Sequence, residues 1–100
     1  MTETTERIIA VLKTIPRGKA ASYRDVALAS GLVNGARQVV RVLHSMSEKY
    51  KLPWHRVIRA DGRIALPPEQ GGELQAGLLR SEGVKVSKTL KVDLKKYSAF

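Results

Sequence analysis

The residues best suited to chemistry gather in one short run, Pro53-Trp54-His55-Arg56-Val57-Ile58. His55 can act as a base or orient a nucleophile, but no acidic residue lies near it in sequence and no serine carries a nucleophile motif. The chain contains no cysteine, which removes thiol nucleophiles, disulfides, Cys-ligated zinc and iron–sulfur clusters. His44 and His55 stand without a spaced carboxylate cluster, so no metal site is expected. Gly71-Gly72 precedes a helix but lacks the strand and the remaining glycines of a phosphate loop. Residue types alone therefore give catalysis no support, and no cofactor is expected. His55 reads more readily as a partly buried structural histidine. Trp54, the sole tryptophan, can pack in a core or stack on a base, and Tyr23 has the same choice.

Charge shows what these residues face. The 100 residues carry 18 Lys and Arg against 9 Asp and Glu, a net charge of +9. Between Lys13 and Arg63 there are eleven basic and three acidic residues, a surplus of +8. Such a localised surplus favours a nucleic-acid partner over a generally basic surface. The length suits one domain, residues 1–100, with the tail from about residue 87 unassigned. No apolar run approaches a membrane span, and the polar start is unlike a signal peptide. A soluble, intracellular monomer with no membrane partner is expected.

The elements that must position these residues follow from periodicity. Thr4 and Thr5 can cap a first helix whose apolar stripe is Ile8, Ile9, Val11, Leu12 and Ile15, stopped by Pro16-Arg17-Gly18. Ser22-Tyr23-Arg24-Asp25 resembles a capping box and opens a second helix that ends at Gly31. Asn34 is expected to cap a third helix over Gly35 to Met46. On its wheel Ala36, Val39, Val40, Val42, Leu43 and Met46 share one side, and Arg37, Gln38, Arg41, His44 and Ser45 the other. That polar side has no carboxylate, as a DNA-facing helix of a helix-turn-helix requires. His55 to Ile58 reads as a strand, turned at Asp61-Gly62 and returning as Arg63 to Leu66, a hairpin wing. Glu69 to Glu82 reads as a last helix with Leu74, Leu78 and Leu79 inward, followed by short strands at 84–86 and 90–92. The expected fold is mainly α with small β, a winged helix-turn-helix DNA-binding domain.

Four segments carry a resemblance: Ile15-Pro16-Arg17-Gly18-Lys19, Ser22-Tyr23-Arg24-Asp25-Val26-Ala27, Ala36-Arg37-Gln38-Val39 and Pro53-Trp54-His55-Arg56-Val57-Ile58. Together with Leu78-Leu79 and Glu82-Gly83, they closely resemble the DNA-binding domain of O6-alkylguanine-DNA alkyltransferases over most of Met1 to Val86. Those enzymes place the alkyl-accepting cysteine between Pro and His, where this chain has Trp54. Pro-Trp-His-Arg marks the alkyltransferase-like proteins of that family, which bind O6-alkylguanine without repairing it. Met46 replaces an Asn that supports the enzymes' thiol. The loop from Ala65 to Gln70 is longer than the enzymes' pocket lid and lacks its Tyr-Ser pair.

The resemblance implies a mechanism and a set of residues. A recognition helix enters the minor groove of duplex DNA and the damaged nucleotide is flipped into a pocket. By position, Arg37 is the finger that fills the vacated stack. Tyr23, Leu43, Trp54 and the backbone of Val57 line the lesion pocket. Ser22, Tyr23, Arg24, Gly35, Ala36, Arg37, Gln38, Arg41 and His44 meet the DNA. The implied function is non-enzymatic sensing of O6-alkylguanine, flagged to nucleotide excision repair proteins of the UvrA type, with a cytoplasmic, nucleoid-associated location in a bacterial cell. A sequence-specific winged-helix transcriptional regulator is the alternative.

Overall fold

The computed structural model describes residues 1–100. Five α-helices surround a sheet of two short strands. Helix α1 spans Glu3–Lys13 and is capped by Thr2, whose Oγ1 accepts from the Thr5 amide at 3.1 Å. The cap thus lies two residues before the expected Thr4. Starting there places Glu3 and Glu6 in the first turn, where carboxylates suit the helix dipole. Ile8, Ile9, Leu12 and Ile15 are buried as the stripe predicts.

Helix α2, Tyr23–Ala29, opens on Ser22, whose Oγ accepts from the Asp25 amide at 3.0 Å. Gly31 follows it in the left-handed region at φ +83. Helix α3 runs Ala36–Tyr50 and is capped by the backbone of Gly35; Asn34, at φ 57, makes no side-chain cap. It continues four residues beyond Met46, because nothing before Pro53 breaks it and Tyr50 extends the apolar stripe onto the core. A Cβ on Gly35 would lie 2.6 Å from Leu32 Cβ and 3.3 Å from Ala27 Cβ. Glycine therefore permits the close approach that sets α3 against α2.

Strands β1 (Ala21–Ser22) and β2 (Val57–Ile58) pair in parallel, with Ala21 opposite Val57. Parallel pairing needs a long crossover, and here the crossover is the helix-turn-helix itself. The expected strand at 55–58 is halved, because Trp54–Arg56 form a 3-10 turn. Side chains alternate across the ribbon. Ala21 and Val57 join the core beneath α1, α2 and α3, while Ala20 and Ile58 join a second core with Ile64, Ala76, Leu79 and Val84.

The wing forms with a different partner. The turn closes as expected, with the Arg59 amide donating to the Arg63 carbonyl at 2.9 Å and Gly62 left-handed at φ +89. Residues 63–66 do not pair back on β2. Ile64 donates to Leu90 and Val92 donates to Gly62, at 2.9 and 2.8 Å. Residues 84–86 form no strand, and Lys91 makes only a bridge to Arg63. The tail, unassigned from sequence, buries Leu90 and Val92, ends in helix α5 (Leu94–Tyr97) and bridges Ala20 through Ser98.

The last long helix, α4, spans Gly72–Ser81, after a 3-10 turn at Pro68–Gln70. Leu74 is 60% exposed, not inward, while Leu78 is half-buried and Leu79 buried. Leu74 and Leu79 lie five residues apart, about 140° around the helix, so both cannot face one core. The inward place belongs to Gln75. No helix is long and apolar enough to cross a membrane.

Candidate functional site

Helix α3, the start of α2 and the Leu52–His55 segment enclose an open cleft of about 730 Å³. Tyr23, Leu43, Trp54 and His55 line its wall, with Val40, His44, Ser47 and Glu48 along α3, Lys51 just past its end and Leu66 reaching in from the 65–70 loop. Ser22 holds Tyr23 at this wall by capping α2, so the Ser22 hydroxyl is committed to the Asp25 amide. The Tyr23 phenol is half-buried, and burial raises its pKa and keeps it neutral. Val40, expected on the apolar core side, is instead exposed at the cleft. It lies between the core face of α3 and the cationic face.

Of the expected DNA-facing residues, five side chains are exposed on α2 and α3, while Ser22 is only 2% exposed. Arg24, Arg37, Gln38, Arg41 and His44 are all exposed, whereas Ala36 is half-buried and Gly35 buried. None of the three arginines is ion-paired, since the structure's salt bridges use only His55, Arg56, Glu82, Arg59 and Asp61. Three unpaired guanidiniums on adjoining helices make a surface complementary to phosphates.

Val57, expected to offer its backbone to the pocket, lies behind the cleft wall. It is fully buried and absent from the cleft wall. Its amide donates to Trp54 and its carbonyl accepts from Gln75 Nε2 at 3.0 Å.

Behind Trp54 lies a charged cluster. His55 Nε2 is 2.9 Å from Glu82 Oε2, and Arg56 grips the same carboxylate with Nε at 2.9 Å and Nη2 at 2.7 Å. Arg56 Nη1 also donates to the Ile15 carbonyl at 2.9 Å, tying the cluster to the end of α1. The Arg56 hydrogen bonds, reinforced by His55, hold the Glu82 carboxyl down at about 2 against burial. The same contact raises the Arg56 guanidinium. His55 is thus bonded to an acid 27 residues away, which local sequence does not reveal. No group of three His, Asp or Glu side chains gathers to hold a metal.

A base bonded to a carboxylate can activate a neighbouring nucleophile. The neighbour here is an indole, edge-on to His55 with ring centroids 6.1 Å apart. Residues 3–84 match the family profile described as 6-O-methylguanine DNA methyltransferase, DNA binding domain. The chain belongs to this family. A DNA base-flipping protein of Vibrio parahaemolyticus is 40% identical over 93 residues, 91% of this chain and 90% of that protein. Alkyltransferase-like protein 1 of Schizosaccharomyces pombe is 36% identical over 76 residues, 75% of this chain and 70% of that one. The crystal structure of S. pombe Atl1 in complex with damaged DNA containing O6-carboxymethylguanine superposes with a TM-score of 0.87 at 30% identity, covering 100% of this chain and 97% of that one. In this member of the methyltransferase DNA-binding family, helix α3 and His55, the partner of Glu82, both line the cleft.

Sequence reasoning missed Gln75 altogether. The signal was available: a polar residue in the same inward column as Gly72, Ala76 and Leu79.

Proposed function

We propose that this protein binds O6-alkylguanine in duplex DNA, flips the damaged nucleotide into the cleft beside Trp54, and transfers no alkyl group. The observation that carries this reading is the indole of Trp54 on the cleft wall, set against a His55–Glu82 pair that has no thiol to activate. Alkyl transfer to protein needs a soft, readily deprotonated nucleophile, and the chain contains no cysteine. An indole offers an apolar face for a base or alkyl group instead.

In this reading the roles divide by position. Arg37, in the first turn of α3, fills the vacated stack, and Tyr23 crowds the adjacent phosphate and helps the nucleotide rotate. Arg24, Arg41 and His44 hold phosphates. Flipping costs a few kcal/mol and less at a weakened pair, which gives a first layer of lesion selectivity. The bound complex flags the lesion to nucleotide excision repair, a role implied by the Pro53-Trp54-His55-Arg56 resemblance. A DNA base-flipping relative and a neighbour bound to damaged DNA support the DNA-binding part.

The test is a competition between two duplexes that differ only in guanine or O6-methylguanine at one position. Preferential binding of the lesion is expected, and equal affinity excludes lesion recognition. The repair link is tested separately, by lesion-dependent recruitment of a purified UvrA-type protein; recruitment that ignores the lesion contradicts it.

A further inference from the structure

The surplus between Lys13 and Arg63 is not the only one in the chain. Residues 83–100 hold Lys85, Lys88, Lys91, Lys95 and Lys96 against Asp93, five cations less one acid, or +4. All five lysines are exposed and none is ion-paired. The acids beside them are already engaged. Asp93 Oδ1 accepts from the Lys95 amide at 3.0 Å, and Asp61 Oδ1 from the Arg63 amide at 3.0 Å, with Asp61 Oδ2 3.5 Å from Arg59. The Arg63 hydrogen bond and the charges of Arg59, Arg63 and Lys91 hold the Asp61 carboxyl below its usual range, so three cations converge on one acid. A backbone bridge between Arg63 and Lys91 ties the wing turn to the tail, and Lys91 and Lys95 border an open groove of about 610 Å³ between them.

We propose that this wing–tail surface holds the phosphate backbone of a second DNA segment while α3 holds the first. Leu90 and Val92 are buried in the core on the Ala20–Ile58 face of the ribbon, and Lys91 between them points outward. Helix α3 packs on the Ala21–Val57 face, with Val39 and Val42 inward and Arg37 and Arg41 outward. The lysines and the arginines therefore turn away from the ribbon on its two sides. A duplex is stiff over about 150 base pairs. A segment lying along α3 does not fold round a molecule whose longest dimension is 38 Å to reach the tail. Composition favours phosphate over a protein partner. Protein interfaces are enriched in aromatic residues and Met and depleted of Lys, whereas Phe100 is the only exposed large apolar side chain of residues 83–100. Flexible ammonium groups bind phosphates as point charges, without regard to base sequence. The second contact is independent of the lesion, and it adds to lesion binding without resting on it.

Capture of one duplex by another tests this. A biotinylated O6-methylguanine duplex is immobilised and loaded with the full chain, and a fluorescent unmodified duplex is added in solution. The unsubstituted protein is expected to retain the second duplex, and to retain less of it as salt rises. The triple variant Lys88→Gln/Lys91→Gln/Lys95→Gln changes only exposed positions. It is expected to weaken retention about tenfold and to flatten its log–log salt dependence by about 0.9 for each lysine replaced. Its affinity and salt slope for a single duplex are expected to stay the same. No retention by the unsubstituted protein overturns the proposal, as does retention that the triple variant preserves, which two chains joined to each other would give. Weaker single-duplex binding by the triple variant places the tail on the first segment and overturns it too. So does displacement by polyglutamate in preference to unlabelled duplex, which assigns the lysines to an acidic protein. None of these outcomes touches the preference for O6-methylguanine over guanine, so failure here is distinct from failure of lesion binding.

Discussion

The indole of Trp54 meets the imidazole of His55 edge-on, with ring planes at 82° and centroids 6.1 Å apart. The contact joins an apolar wall of the cleft to a histidine that Glu82 holds from behind at 2.9 Å. Trp54 is the only tryptophan, so the emission of the protein reports on this point alone. Saturation with O6-methylguanine duplex is expected to shift or quench that emission more than saturation with guanine duplex. An unchanged spectrum with both places the lesion elsewhere.

Glu82→Gln leaves Arg56 and His55 without their shared carboxylate. Its carboxyl titrates at about 2 in the fold against an ordinary 4.5. A depressed folded value means that the stabilisation is complete above about 4.5 and is lost as pH falls from there to about 2. The variant is expected to lose about 2 kcal/mol at neutral pH, with a flatter pH dependence across that interval. Urea midpoints measured from pH 5 to pH 2 check this, and parallel curves for the two proteins contradict it.

Arg37 and Arg41 both lie exposed on α3 without ion pairs, yet different effects are expected. Arg37→Ala should weaken lesion binding strongly and leave the salt dependence nearly unchanged. Arg41→Ala should weaken all duplexes alike and reduce the slope of log affinity against log salt by about 0.9, one phosphate contact. Titrations at several salt concentrations separate them; a uniform loss from Arg37→Ala contradicts the finger role.

Gly35→Val places a branched side chain where even a Cβ lies 2.6 Å from Leu32. A cost of about 1–3 kcal/mol in stability is expected from overpacking, together with weaker DNA binding as α3 tilts from α2. Normal affinity in a folded Gly35→Val protein contradicts a fixed angle between these helices.

Features governed by neighbours in sequence were legible. The Ser22 cap, the left-handed stop at Gly31 and the Asp61-Gly62 turn each depend on a few adjacent residues, and all are present. The apolar stripe of α1 was equally clear. What was not legible depends on distant partners. The Asp61-Gly62 turn specifies a reversal but not which chain segment pairs with the returning arm, which bonds to Leu90–Val92 and not to β2. Gln75 escaped because three leucines nearby suggested an inward face that helical geometry cannot supply. Arg56 and Glu82 are 26 residues apart, so their ion pair exists only once α4 has packed on the Trp54–Arg56 turn. The family resemblance named Glu82, while the bonds of the Val57 backbone to Trp54 and Gln75 appear only in the folded chain.

The central claim, lesion binding without chemistry, is tested most directly with a duplex carrying one O6-methylguanine labelled in its methyl group. The duplex is incubated with excess protein, and label is then counted in the protein and the DNA fractions, with binding measured in the same samples. The prediction is tighter binding than to the guanine duplex, with all label remaining on the DNA. Label on the protein, or equal affinity for the two duplexes, contradicts the account.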